Sequence, residues 1–368
     1  MKNKSILIYF ILILNIQING FIKYLSYQEI KINLASKLNS IKKIGRYYIK
    51  DDAINLAQSG SSIEFYVIAK IALITIYGSS LSYLHDDNEK PRYAIYLDDI
   101  KLLDIKIQAE ETKILLFKYD KIKEVKIRII LLSESMFGNI GIKDLYLYSL
   151  LNEENVIKPT EKKNYLIEFI GDSITCGYGI EGKGENESFD TGKENFEKTY
   201  AFISSQELDF DYSVVCYSGC GIITPGNRMQ QRYTKINYFM NDLEWNFNEV
   251  EENKADIIVI NLGTNDKDFA LSFKKDIYSE EYANFLKIVR EKNKDAIIIC
   301  IYGMMGGENL FPLIKKGIQS LNDSKIYGYL FPEQKFEDGF GTQLHPNEIS
   351  NKKWGKQLSE IIKNIFNK

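Results

Sequence analysis

The chain has 368 residues, of which 45% are hydrophobic and 26% are charged, and its formal net charge is −3. This length is sufficient for two domains, and the share of apolar residues excludes a disordered chain. The weakly negative charge excludes the basic surface that nucleic-acid-binding proteins use, so we expect no nucleic acid partner.

The first residues are typical of a secretory signal peptide. Lys2 and Lys4 precede an apolar run at residues 6–14 that is too short to cross a membrane as a helix. We therefore predict a signal peptide at residues 1–20, a secreted or extracytoplasmic protein, and no membrane association beyond this segment. The alternative is an N-terminal helix that stays attached to the rest of the chain.

Residues 40–152 are predicted to form a β-sandwich domain of the jelly-roll type. Short runs of β-branched and aromatic residues follow one another at close spacing, and turns such as Asp98-Asp99 separate them. The predicted strands are 63–69, 72–77, 93–97, 100–107, 114–117, 125–130 and 142–148. The preceding residues, 23–43, are predicted to form an arm or a short helix.

Residues 160–368 are predicted to form an α/β domain, joined to the first by a polar linker at 152–164. Strand-like runs here alternate with helical segments, a pattern that indicates a parallel sheet with helices on both faces. The predicted strands are 165–170, 212–217, 256–261, 296–302 and 325–331. The last helix is predicted to start near Asn351 and to carry Trp354, Leu358, Ile361, Ile362 and Ile365.

Three of these strands end in a short polar turn that contains glycine. The turns are Gly171-Asp172-Ser173, Ser218-Gly219-Cys220-Gly221 and Leu262-Gly263-Thr264-Asn265-Asp266. Because the carboxyl ends of parallel strands lie at one edge of a sheet, the Ser173 hydroxyl, the Gly219 N–H and the Asn265 side chain should meet there. A serine nucleophile needs such donors around the oxyanion of a tetrahedral intermediate.

The general base for Ser173 is found by elimination, since the chain has only two histidines. His85 lies in a charged loop of the first domain and is predicted to be a solvated loop residue. His345 lies just before the last helix, where Pro346 fixes the direction of the chain. We therefore predict that His345 is the base, the alternative being a histidine at a helix start without chemical function.

The four cysteines, Cys176, Cys216, Cys220 and Cys300, include no CxxC pair. A zinc site is therefore not expected, and no other metal or cofactor is implied. Buried free thiols are predicted, with a disulfide as the alternative in an exported protein.

Four segments together resemble the conserved blocks of the SGNH, or GDSL, hydrolase superfamily. They are Gly171-Asp172-Ser173-Ile174-Thr175, the Gly219 turn, Gly263-Thr264-Asn265-Asp266 and His345-Pro346-Asn347, in the superfamily's order. The run at 171–179, with an acidic glycine-rich loop after it and a β-sandwich before it, is similar to carbohydrate esterase family 2. The resemblance covers about residues 45–368. It implies an SGNH-type, flavodoxin-like α/β fold and an acetyl esterase that acts on polysaccharides such as xylan or glucomannan.

By position, the resemblance makes Ser173 the nucleophile and His345 the general base. It also assigns the backbone N–H groups of Ser173 and Gly219 and the side chain of Asn265 to the oxyanion hole. Asp172 and Asp266 are expected to stabilise turns rather than to act in catalysis.

The chain departs from the superfamily beside the histidine. Members usually carry an aspartate two or three residues before it, where this chain has Gln343 and Thr342. Some family 2 carbohydrate esterases also lack the acid and use a Ser-His dyad in which a backbone carbonyl orients the histidine. We expect such a dyad here, and Asp338 is the alternative acid. Position 344, often tryptophan in that family, is leucine.

Two further stretches could shape a cleft. The polar loop at 181–195 directly follows the nucleophile turn and is a candidate rim. The aromatic residues at 228–247 could contact sugar rings, although packing in the core is the more common use of such a stretch.

Two other functions stay open from the sequence. One is a different acyl-ester hydrolase on the same fold, such as a lipase or a thioesterase. The other is a carbohydrate-binding protein with weak or lost activity.

Overall fold

The structure is a computed structural model that describes residues 28–78, 80–150, 155–239, 241–247 and 254–366. The predicted signal peptide at 1–20 lies outside the described residues. Within the described ranges, no helix is both long and apolar enough to cross a membrane.

Seventeen strands and seven α-helices are described. The strands are β1 (Gln28–Asn33), β2 (Lys42–Ile44), β3 (Tyr47–Lys50), β4 (Ala53–Leu56), β5 (Ser62–Tyr77), β6 (Arg92–Leu97), β7 (Ile100–Lys106), β8 (Glu111–Leu131), β9 (Gly141–Ser149), β10 (Ile157–Pro159), β11 (Leu166–Gly171), β12 (Asp211–Cys216), β13 (Lys235–Asn237), β14 (Asn241–Glu244), β15 (Ile257–Asn261), β16 (Ile297–Tyr302) and β17 (Ile326–Leu330). The helices are α1 (Ser80–Tyr83), α2 (Ser173–Cys176), α3 (Tyr200–Leu208), α4 (Lys267–Phe273), α5 (Lys275–Lys292), α6 (Phe311–Ser320) and α7 (Glu348–Phe366).

The first ten strands form one antiparallel sheet in the order β3-β4-β9-β5-β8-β6-β7, with β1 on β9 and with β2 and β10 on β5. Strands β5 and β8 are 16 and 21 residues long, and each takes up two runs that the sequence predicts as separate strands. Their ladder shifts register between Ala69 and Ile71, which is where the two predicted runs of β5 meet. Alternate residues such as Phe65, Ile74 and Ile129 are buried in a single hydrophobic core. The prediction of a β-rich first domain is therefore confirmed.

Strand β1 corrects the prediction of an arm or short helix at residues 23–43. It pairs with β9 along its whole length, from Gln28 opposite Ser149 to Asn33 opposite Asp144. Six residues of mixed polarity form a strand here because a long neighbour offers a complete ladder of hydrogen bonds. The sheet thus includes strands on both sides of the predicted range 40–152, since β10 also lies outside it.

Strands β11, β12, β15, β16 and β17 form a parallel sheet in the order β12-β11-β15-β16-β17. This is the flavodoxin-like order, in which the second strand lies outside the first. Each strand lies within one residue of its predicted bounds at either end. The prediction of an α/β domain with a parallel sheet is confirmed.

Helices cover both faces of this sheet, because successive residues of each buried strand point to opposite sides. Ile258 and Ile260 pack in a cluster with residues of α5 and α6. Ile257 and Val259 pack in a second cluster with residues of α3 and α7.

The two sheets meet across an interface that contains buried charges. Arg46, in the turn between β2 and β3, is fully buried and forms an ion pair with Glu168 of β11, with 3.1 Å between Nη2 and Oε1. The hydroxyl of Tyr233 donates to the other oxygen of Glu168 at 2.9 Å. We call these three residues the interface cluster.

Candidate active site

The nucleophile turn begins where β11 ends, at Gly171. A Cβ on this residue would lie 2.0 Å from Oγ1 of Thr175, so the position accepts only glycine. Asp172 caps helix α2, and its Oδ1 accepts the N–H of Ile174 at 3.1 Å. Ser173 is the first residue of that helix and only 6% exposed, so its hydroxyl is held at the carboxyl edge of the sheet.

The structure brings Ser173 and His345 together. Nε2 of His345 lies 2.9 Å from Oγ of Ser173, within hydrogen-bonding distance. His345 lies just before α7, and Asn347 fixes the start of this helix by accepting N–H groups from Ile349 and Ser350. The two residues therefore have the geometry of a nucleophile and its base.

No carboxylate among the described residues forms an ion pair with His345, and its Nδ1 is buried without a hydrogen-bond partner there. Asp338 instead pairs with Lys353, at 2.6 Å between Oδ1 and Nζ. The nearby acceptors are the backbone carbonyls of Gln343 and Thr342. Burial lowers the pKa of His345 below its ordinary value of 6.5, and these carbonyls oppose the shift in part. The imidazole is therefore favoured in its neutral form.

The backbone before His345 is strained. Gln343 and Leu344 have φ values of +53° and +61°, in the left-handed region that residues other than glycine rarely adopt. The turn is held by Gly341 N–H, which donates to His345 O at 2.7 Å, and by the side chain of Gln334, which donates to Leu344 O at 2.8 Å. This turn directs the histidine ring toward Ser173.

The predicted oxyanion turn lies beside the nucleophile turn. Tyr217 N–H donates to Gly171 O at 3.2 Å, so the chain leaves β12 alongside the end of β11. Gly219 has φ of +73°, which glycine adopts without strain. The backbone N–H groups of Ser173 and Gly219 donate to no acceptor among the described residues. Both groups are therefore available to a ligand.

Asn265 comes to the same edge from the third turn. Its Nδ2 donates to Cys220 O at 2.9 Å and makes a longer contact of 3.4 Å with Oδ2 of Asp172. The contact with Asp172 is at the outer limit of hydrogen-bond geometry. The Nδ2 hydrogen that faces Asp172 is therefore more available to a ligand than the hydrogen that Cys220 O accepts.

The two aspartates next to these residues bind backbone groups, in accordance with the sequence prediction. Asp266 accepts the N–H groups of Ile222 and Ile223 at 2.8 and 2.9 Å, and it thereby fixes the loop after Gly219. Asp172 is fully buried, and desolvation raises its pKa to about 7, against the bond from Ile174.

An aromatic stack lies against His345, and of its three rings only Tyr178 belongs to a motif, the run at 171–179. The ring of Tyr178 lies 4.4 Å from the imidazole between centroids, Phe189 stacks on Tyr178 at 4.6 Å, and Phe137 stacks on Phe189 at 4.7 Å. Phe189 belongs to the predicted rim loop 181–195, and Phe137 belongs to the first domain. Both therefore extend the wall of the site beyond the parallel-sheet domain.

The aromatic stretch at 228–247 is divided between core and surface. Tyr233 and Phe247 are buried, whereas Tyr238 and Phe239 are 37% and 42% exposed. The prediction of core packing therefore holds for only part of this stretch. The four cysteines are all buried and free, as predicted.

Comparison with known proteins finds similarity to a known family of domains over part of the chain. Residues 169–324, which include Ser173, Gly219 and Asn265 but not His345, match the GDSL-like Lipase/Acylhydrolase family. The chain is 34% identical over 220 residues to the cellulase/esterase CelE of Acetivibrio thermocellus, an alignment that covers 56% of this chain and 26% of CelE. The chain thus spans about a quarter of that relative's length.

Two other relatives match over most of their length. An acetylxylan esterase / glucomannan deacetylase of Cellvibrio japonicus is 22% identical over 339 residues, which cover 89% of both proteins. The solved structure of a family two carbohydrate esterase from Clostridium thermocellum, in complex with cellohexaose, gives a TM-score of 0.78 at 26% identity. That match covers 89% of this chain and 99% of the other.

Proposed function

We propose that this chain is a carbohydrate O-acetyl esterase. Residues 169–324 match the GDSL-like lipase/acylhydrolase family, in agreement with the motifs, and the chain resembles the family 2 carbohydrate esterases. The observation that carries the proposal is the 2.9 Å contact between Ser173 and His345 at the carboxyl edge of the sheet. The free N–H groups beside it support the same chemistry, because they can bind an oxyanion.

In the proposed reaction, Nε2 of His345 accepts the hydroxyl proton of Ser173 as Oγ attacks the acetyl carbonyl. The N–H groups of Ser173 and Gly219, with the side chain of Asn265, bind the oxyanion of the tetrahedral intermediate. His345 then returns the proton to the sugar oxygen as the C–O bond breaks, which leaves acetyl-Ser173. Water, deprotonated by the same histidine, attacks this ester and releases acetate and the free serine.

We further propose that Ser173 and His345 act as a dyad. The unpartnered Nδ1 and the nearby carbonyls of Gln343 and Thr342 support this proposal. In the dyad, the strained turn before His345 and the ring of Tyr178 orient the imidazole in place of a carboxylate.

The substrate class is proposed from the relatives. One is named a cellulase/esterase, one an acetylxylan esterase / glucomannan deacetylase, and one was solved with cellohexaose. We infer an acetylated β-linked polysaccharide or oligosaccharide similar to xylan or glucomannan. Export through the signal peptide at 1–20 would bring the enzyme to such a polymer.

For the first domain, we infer a jelly-roll arrangement from its many antiparallel strands.

The test is hydrolysis of aryl esters and of acetylated polysaccharides by the purified protein. We expect turnover of an aryl acetate, a steep loss of rate as the acyl chain lengthens, and acetate release from acetylated xylan or glucomannan. Ser173→Ala should abolish all three activities while the protein stays folded. A preference for long acyl chains would favour a lipase instead, and binding of polysaccharide without turnover would favour a binding protein.

A further inference from the structure

We propose that Glu134, a residue of the N-terminal β domain, is a positioning residue that holds the oxyanion turn at Gly219. The proposal rests on the esterase function proposed above, and it concerns a residue that lies in none of the four motifs. Under this proposal, the first domain contributes a residue that positions a part of the active site.

Glu134 contacts both segments that supply the free N–H groups. It follows β8 and is fully buried. One carboxylate oxygen, Oε2, accepts the N–H of Ser218 at 2.8 Å and the thiol of Cys176 at 3.4 Å. Ser218 directly precedes Gly219, and Cys176 is the last residue of the helix that Ser173 begins. A single side chain from the first domain therefore connects the two turns.

The contact with Ser218 fixes one of the two peptide planes that determine the direction of the Gly219 N–H. Because a trans peptide is planar, its C=O and N–H point in opposite directions. The second plane is the peptide between Ser218 and Gly219. Asn227 holds it by donating from Nδ2 to Ser218 O at 3.2 Å, so the N–H of Gly219 points away from Asn227. Without Glu134, the plane between Tyr217 and Ser218 loses its N–H acceptor, and the turn can rotate about Ser218.

Glu134 is itself held in place from the nucleophile side. Glu194, in the rim loop, accepts the backbone N–H of Glu134 through Oε2 at 3.0 Å. The Arg92 guanidinium donates to Glu194 O at 3.1 Å, and Phe196 N–H donates to Leu132 O at 3.1 Å. The position of the Glu134 carboxylate is therefore tied to the loop that follows Ser173.

Stability alone does not account for this arrangement. Glu134 and Glu194 are two neighbouring buried carboxyl groups, and Oε1 of each has no hydrogen-bond partner among the described residues. Burial raises the pKa of both groups. Replacing buried charges by apolar groups of similar volume is often neutral or stabilising, so the contact with Ser218 is the feature that explains a carboxylate here.

The test compares Glu134→Gln with Glu134→Met. Both variants are uncharged and similar in volume, but only glutamine keeps an oxygen that can accept the N–H of Ser218. With an aryl acetate, we expect kcat of the methionine variant to fall about 10- to 100-fold, as for a displaced oxyanion donor, with KM within about threefold. Its affinity for phenylboronic acid, which forms a tetrahedral adduct with serine, should fall by a similar factor. The glutamine variant should stay within about threefold of wild type in both measurements.

Lys42→Met is the matched control for loss of a contact between the domains. Lys42 belongs to the first domain and binds Asp211 at the amino end of β12, with 2.6 Å between Nζ and Oδ1, far from the turns. This variant should lose stability without losing kcat or affinity for the boronic acid.

Given an active wild-type protein, two results in the variants would overturn the proposal: wild-type kcat and inhibitor affinity in Glu134→Met, or an equal loss in both glutamate variants. If the methionine variant does not fold, Glu134→Asp, which withdraws the carboxylate by one methylene, replaces it in the same comparison. A wild-type protein without esterase activity would contradict the proposed function and the inference with it. Activity that is unchanged in these variants would contradict the inference alone.

Discussion

At the carboxyl edge of the parallel sheet two backbone donors have no partner among the described residues, whereas in the interface cluster the two charged side chains bind each other. The N–H groups of Ser173 and Gly219 donate to no acceptor in the part of the chain that the structure describes. Arg46 and Glu168 form a buried ion pair in the interface cluster, close to the same strand. A buried polar group without a partner destabilises a fold, so its retention at the edge indicates use by a ligand.

The two regions should therefore respond differently to substitution. Changes at the edge should reduce turnover far more than they reduce stability. Changes in the interface cluster should reduce stability and leave the turnover of the folded protein unchanged. Each of the following experiments tests one side of this difference.

The largest loss of activity is expected when His345 is replaced, and the second histidine, His85, offers a control. His345→Ala removes the base that contacts Ser173 and should lower kcat/KM about 10⁴-fold. His85→Ala is the control, since His85 lies in the first domain and contacts Glu89, with 3.4 Å between Nδ1 and Oε2. Kinetics with an aryl acetate measure both variants. Comparable losses in the two would show that neither histidine acts as the specific base.

In the interface cluster, Arg46→Met should lower the free energy of unfolding by about 3–5 kcal/mol, because it leaves Glu168 buried without its cation. Urea denaturation measures this loss. The double variant Arg46→Met/Glu168→Met should recover part of it, since no unpaired charge remains. At temperatures where the single variant is folded, its kcat should equal that of wild type. A selective loss of kcat would mean that the two regions are coupled.

A smaller loss of activity is expected when alanine replaces Gly219, and Gly226, a glycine of nearly the same φ, offers the control. Gly219 and Gly226 have φ values of +73° and +71°, so alanine adds about 1–2 kcal/mol of backbone strain at either position. Only Gly219 carries the proposed oxyanion donor. Gly219→Ala should lower kcat about 10- to 100-fold, whereas Gly226→Ala should change only the unfolding midpoint. Equal kcat values in the two variants would show that the Gly219 N–H does not bind the oxyanion.

The edge is also the part of the molecule that the sequence predicts best. Strands buried on both faces are mostly apolar runs, so β11 and the turn to Ser173 can be recognised from a short stretch of sequence. His345 follows by elimination from two histidines. These predictions succeed because the chemistry requires particular residue types in short, local segments.

The contacts that complete the site depend on distant residues and leave no local pattern. Glu134 lies between two serines in an ordinary loop, and Tyr178 reaches His345 only after the chain folds. The positive φ values of Gln343 and Leu344 are equally hidden, because neither residue type favours that conformation. Strand β1 exists only because β9 pairs with it.

The smallest effect expected concerns the unpartnered Nδ1 of His345. A base must be neutral to accept the serine proton, so kcat/KM should rise with pH and level off once the imidazole has lost its proton. Burial lowers the pKa of His345, so the inflection should lie below 6.5, and a carboxylate beside Nδ1 would move it upward by favouring the imidazolium. Gln343→Asp introduces a carboxylate two residues before the histidine, at a φ that aspartate tolerates, and Gln343→Asn is its uncharged control, since both variants shorten the side chain that accepts the Tyr178 hydroxyl. Profiles of kcat/KM from about pH 5 to about pH 8 should show an upward shift only for the aspartate variant. A wild-type inflection above 6.5 would mean that an acid already orients this histidine and that the dyad is in fact a triad.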